Sequence, residues 1–248
     1  MANLLFQPAE LLREILALQD LAAKFLDRTS PYQLEELAGE IRGLQTNGGT
    51  QTLQIPIARP LRTRVSQGEF EPLNKRKSTR PIYGSITGIW EVEATKHLVR
   101  DSKRPNKKAK PTMLIGFTGK ASTVFEIKDD ESKETVACWK MELGDANSPG
   151  CFFHTFASAD DKFPVPRHPN LFTTPMSAIA FALGELFQDD WEQAVSGSTH
   201  PPSDWRSIQR KRLTALLNWQ LEQVTKTTSS PWCSLKAAKP DSLLFVEP

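Results

Sequence analysis

A chain of 248 residues, 39% hydrophobic and 24% charged, is long enough to bury a sizeable core, which excludes disorder throughout. No apolar run approaches the roughly eighteen residues a membrane span needs, and Glu10, Arg13 and Glu14 interrupt the amino-terminal apolar stretch in a way that does not suit a secretion signal. The formal net charge of +2 hides a segregation: between Lys75 and Lys110, eleven Lys and Arg stand against Glu91, Glu93 and Asp101, so the rest of the chain is acidic. Cys138, Cys151 and Cys233 contain no CxxC pair, and together with the missing signal they predict reduced thiols and a cytoplasmic protein.

The first fifty residues read as a helical hairpin. Leu11, Ile15, Leu18, Ala22 and Phe25 recur at helical spacing, and Leu12, Leu16, Leu21 and Leu26 widen the apolar surface. Ser30-Pro31-Tyr32-Gln33 has the form of a capping box, and a second helix through Leu34, Leu37, Ala38, Ile41 and Leu44 should stop by Asn47-Gly48-Gly49. From Thr50 the period becomes extended, with Pro56 arguing for an edge strand. Residues 59–80 read as a long solvated connection. Strands are predicted over Ile82–Glu93, Thr112–Phe117 and Thr123–Lys128, the last two joined by a turn near Thr118-Gly119. The polar stretch between Arg100 and Lys110 reads as a loop.

Val136–Leu143 and Cys151–Ala157 are predicted to form a hairpin around a glycine- and proline-bearing turn, with Trp139, Met141 and Leu143 on one face. Thr174-Pro175 should open a helix whose inner face is Met176, Ile179, Ala180, Leu183, Leu186 and Phe187. A further helix over Ser203–Val224 is read with Ile208, Leu213, Leu216, Leu217 and Leu221 inward and Arg206, Arg210 and Lys211 outward. The apolar run Leu243–Val246 should dock. Helices and strands in separate blocks imply an α+β fold: a largely antiparallel sheet of about six or seven strands, preceded by a helical hairpin and followed by two helices. The chain divides into a 1–49 hairpin and a 50–248 α+β domain, or forms one continuous domain.

Glu126-Ile127-Lys128 resembles the ExK half of a PD-(D/E)xK nuclease site. On a strand, Glu126 and Lys128 share a face, and the resemblance implies a Mg²⁺ or Mn²⁺ ion and an upstream acid, for which Glu91, Glu93 and Asp101 are the candidates. The same three residues also suit an ordinary ion pair on a polar face. His154 lies among aromatics, where Glu142 or Asp145 would orient it for acid–base work if the register allows, or where it is a hydrogen-bonded core residue. Cys151 and His154 point to opposite faces of a strand, which argues against a zinc site, and Gly84 and Gly88 form no phosphate-binding motif.

The basic residues form two groups: Lys75, Arg76, Lys77 and Arg80, then Arg100, Lys103, Arg104, Lys107, Lys108 and Lys110. If both groups emerge at one end of the sheet, they make one patch for phosphates. The expected function is therefore a binding or accessory protein that engages an acidic partner, nucleic acid or protein, through this region. A metal-dependent nuclease is the alternative, and a small-ligand pocket under the sheet is a third reading. The amino-terminal helices are expected to serve packing or assembly, with no membrane role.

Overall fold

The computed structural model describes residues 4–66, 68, 80–99, 108–143, 153–157, 168–226, 228 and 230–246. It is α+β as expected. Strand β1 (Leu5–Phe6) leads into helices α1 (Pro8–Ala22) and α2 (Ser30–Asn47). Strands β2 (Gly49–Ile55), β3 (Leu61–Arg62), β4 (Ile82–Val99), β5 (Lys110–Asp129), β6 (Thr135–Leu143), β7 (Phe153–Phe156) and β8 (His168–Pro169) follow. Helices α3 (Pro175–Ser196), α4 (Pro202–Thr225) and the short α5 (Pro231–Ala237) complete the order. The sheet runs β2-β4-β5-β6-β7-β8, with β1 beside β5 and β3 beside β4, and every pairing is antiparallel.

Alternation along β4 and β5 sets the two faces of the sheet. Ile86, Trp90, Val92 and Ala94, opposite Phe125, Ala121 and their neighbours, point to the helices and are buried. Helices α1, α2 and α3 lie against the sheet, and α4 packs on α1 and α3. The resulting core is continuous from Leu4 to Phe245, so the amino-terminal helices and the carboxy-terminal segment share it.

Two glycines let this face close. A Cβ on Gly84 would meet Leu186, Phe125 and Thr63 at 2.9–3.0 Å, and one on Gly88 would lie 2.2 Å from the Trp90 ring. The indole occupies the space a side chain at position 88 would need, and its Nε1 donates to Thr123 Oγ1 at 3.2 Å. The Gly84–Gly88 spacing is a packing device.

Several sequence expectations are corrected. The turn at Thr118-Gly119 does not form, because Thr112–Phe117 and Thr123–Lys128 both pair with β4 and belong to one strand. Its irregularity is a bulge, in which residues 118–120 stand opposite Glu91 alone between the Trp90↔Ala121 and Val92↔Phe117 pairs. The 59–80 connection is partly packed: Leu61, Thr63 and Ser66 are buried, and Thr63 N donates to Gly84 O.

The α2 capping box is absent. Asp27 accepts from the backbone N–H groups of Thr29 and Ser30 instead, while Ser30 Oγ accepts from Arg62 N and Gln33 Nε2 donates to Pro60 O. Burial alone would raise the Asp27 pKa, but hydrogen bonds from Ser30 and Thr29 hold it below its ordinary value. The polar side chains read as a cap therefore bind the β2–β3 connection to the helix. At Thr174 the expected cap is real, with Ser177 Oγ completing the box.

Helix α4 is rotated from the expected inner face. Trp205, Ile208, Arg212 and Leu216 are buried, whereas Leu217 and Leu221 are exposed. Helix α3 breaks at Gln188, which has φ 27° and ψ −105°. Ser66 Oγ donates to Leu186 O just before the break, and Arg64 reaches over the Phe187 ring and towards Asp190 just after it.

Candidate functional site

Glu126 and Lys128 lie on the face of the sheet away from the helices, opposite Ser85 and Tyr83 of β4. Their side chains pair at 3.3 Å, and Thr135 Oγ1 donates to Glu126 at 3.2 Å. The two residues share a face as the ExK spacing requires. Glu91 stands six positions along β4 from Ser85, roughly 20 Å at 3.3 Å per residue, and Glu93 lies further still. Asp101 falls outside the described residues. Among the described residues, no three His, Cys, Asp or Glu side chains are grouped to hold a cation. Cys138, opposite Glu126, has its thiol pushed up to about 11 by burial and by the Glu126 charge.

The β6–β7 register settles the surroundings of His154. Glu142 pairs with His154 and Lys140 with Phe156, so these four side chains share the outer face. His154 Nε2 donates to Glu142 at 3.3 Å, Lys140 Nζ lies 3.0 Å from the other carboxylate oxygen, and the His154 ring stacks on Phe156. Burial by itself would raise the Glu142 pKa, but hydrogen bonds and charge from His154 and Lys140 bring it down to about 2. Since His154 and Lys140 are buried, this is a desolvated ion-paired row. Asp145 and Cys151 lie outside the described residues.

Of the basic residues, Arg80, Lys108 and Lys110 are described, whereas Lys75, Arg76, Lys77, Arg100, Lys103, Arg104 and Lys107 lie outside. Arg80 Nε binds Asp129, whose carboxylate also accepts from Ser132 N and Glu131 N. The backbone bond from Ser132 and the Arg80 contact lower the Asp129 pKa to about 2. Arg80 precedes β4 and Lys108–Lys110 lead into β5 from the far end of β4. With 18 residues in β4, these points are separated by roughly 55 Å along the strand. Among the described residues, the antiparallel β4–β5 pairing thus sets Arg80 and the Lys108–Lys110 segment at opposite ends of β4. Tyr83 and Trp90 are buried and unavailable for stacking on bases.

Two further arrangements bear on function, and the first was not anticipated. Arg212 lies fully buried between Glu10 and Glu14, donating to them at 3.0 and 2.5 Å. Thr174 Oγ1 and Gln209 Nε2 also donate to Glu14, and Lys211 reaches Glu10. Glu10 and Glu14 of α1 thus form one charge cluster with Lys211 and Arg212 of α4. The i, i+4 spacing of Glu10 and Glu14 was the available signal. The second arrangement is a cleft of about 710 Å³ between the sheet and α3. Compared with protein-family models, curated proteins and solved structures, the chain matches none.

Proposed function

We propose that the protein binds nucleic acid through the outer end of the β4–β5 ribbon. One observation carries this reading. The pairing of β2 stops at Gly49↔Ala94 and that of β1 at Phe6↔Ile115, while β4 and β5 continue together to Val99↔Lys110. A two-stranded antiparallel ribbon therefore extends past its neighbours, and such a ribbon has the width that the major groove of B-form DNA admits. Lys96, Lys108 and Lys110 are exposed on it, and Arg100, Lys103, Arg104 and Lys107 lie between its strands in sequence. The acidic remainder of the chain favours engagement by this end alone. The Lys75–Arg80 group has no part in this reading, as Arg80 is already bound to Asp129 at the opposite end.

The test is binding to labelled duplex DNA and hairpin RNA, followed by anisotropy across a salt series. If four phosphates are neutralised on a duplex, log affinity falls against log salt with a slope of about −3.6. Replacing Lys96, Lys103, Arg104, Lys107 and Lys108 with Ser should remove the salt-dependent component. Replacing Lys75, Arg76 and Lys77 should leave it nearly intact. Failure of the parent to bind, or equal loss in the two variants, rejects the ribbon as the site.

A further inference from the structure

We infer that the cleft between the sheet and α3 binds a flat, largely apolar molecule of small-ligand size that carries one cationic group. The cleft encloses about 710 Å³, within the range of roughly 300–1,000 Å³ typical of ligand pockets. Its walls are two aromatic pairs. On the sheet, Phe125 and Trp139 stack with centroids 5.6 Å apart and an interplanar angle of 21°; on the helix side, Phe172 meets Phe181 at 5.0 Å. Ile127 lies beside Trp139 on the same sheet face, and both are only half-buried. Phe181 is 46% exposed, so a substantial aromatic surface faces the opening.

Apolar area of this kind gains by being covered, and the facing rings suit a planar body better than an aliphatic one. Among the described residues that line the cleft, the charge has one sign: Glu185 is exposed on α3 and makes no hydrogen bond or ion pair with any described residue, and none of these lining residues is Lys or Arg. A carboxylate at an apolar opening favours a cation and disfavours an anion. Gln188, where α3 departs from helical geometry, borders the same cleft. The break ends the regular helix there, so the backbone irregularity coincides with the ligand-facing edge.

The experiment uses the full chain with N-phenyl-1-naphthylamine, a neutral fluorescent probe, and two competitors that share a naphthalene ring. The probe should bind saturably at one per chain. Protonated 1-naphthylmethylamine should displace it more strongly than 1-naphthylacetate. Glu185→Gln should keep probe binding and reduce the preference for the amine by roughly two- to fivefold, the range of a partly exposed ion pair. Ile127→Asp, which sets a carboxylate on the sheet wall of the cleft beside the Phe125–Trp139 pair, should weaken probe binding at least tenfold, by the desolvation cost of that charge. Folding of this variant is checked by circular dichroism; if it does not fold, the smaller change Trp139→Ala is read in the same way. Non-saturable binding, a folded wall variant that binds like the parent, or no preference for the amine overturns the inference. None of these outcomes depends on nucleic-acid binding.

Discussion

Glu14 and Arg212 meet at 2.5 Å with neither side chain exposed, joining α1 to α4 across 198 residues of sequence. Arg212 also lies over the Phe6 ring, with its Cζ 5.1 Å from the centroid. Its guanidinium holds two carboxylates, and one of its own nitrogens, Nη2, has no hydrogen-bond partner among the described residues. Removing the arginine leaves buried Glu14 with the neutral donors Thr174 and Gln209 alone and Glu10 with only Lys211 as counter-charge. Arg212→Met is expected to destabilise the protein by about 3–5 kcal/mol. Combining it with Glu10→Gln and Glu14→Leu should recover a large part of that loss, since the uncompensated charges are then gone. Urea denaturation of the single and combined variants measures both.

Acid stability should depend on Glu142. Its folded pKa of about 2 lies below the ordinary 4.5, so the ionised form is favoured by folding. The stability it contributes is complete above about pH 4.5 and is lost as pH falls towards 2. Glu142→Gln should flatten the dependence of the unfolding midpoint on pH over that window. Asp129 contributes in the same direction, with its loss running down to about 2, so the curve will not become flat altogether.

Filling the glycine positions of β4 should strain the core. Gly88→Ala drives a methyl into the indole of Trp90 and should cost about 1–3 kcal/mol, with a change in tryptophan fluorescence as the ring shifts. Gly84→Ala meets Leu186, Phe125 and Thr63 at longer distances and should cost less. Thermal melts of the two variants give the order.

The Glu126–Lys128 pair is partly exposed, with 25% and 27% of the side chains accessible. Such a pair contributes little, so Glu126→Gln should change stability by less than about 1 kcal/mol. Incubating parent and variant with DNA and RNA in Mg²⁺ or Mn²⁺ separates this structural role from the nuclease alternative: an ion pair alone gives no cleavage that the substitution abolishes.

The parts of the fold legible in the sequence were those governed by local periodicity. The α3 face from Met176 to Phe187, its Thr174 cap, the end of α2 at Gly48 and the Trp139–Met141–Leu143 face all follow from one stretch of chain and its immediate neighbours. Relationships set by distant partners were not. Arg212 finds its partners only when Glu10 and Glu14 are brought to it from α1, and α4 is then turned so that Leu217 and Leu221 face outward. Ser30 and Gln33 fit a local cap by type but serve the segment at Pro60–Arg62. For the candidate sites, the shared face of Glu126 and Lys128 was readable from alternation. The distance between Arg80 and Lys110 needed the length of β4, which continues beyond its apolar part to Val99.

The joining of α1 to α4 also constrains synthesis. At roughly 5–20 residues per second, a ribosome takes about 10–40 s to travel the 202 residues from Glu10 to Arg212. Throughout that interval the first helix has emerged with its carboxylates and leucines but without the cation and the helix that cover them. The long β4–β5 ribbon, whose partners are adjacent in sequence, can pair much sooner. Helix α1 is thus made well before α4 can cover its charged face, and a ribosome that pauses before residue 212 prolongs the exposure of that face to other nascent chains.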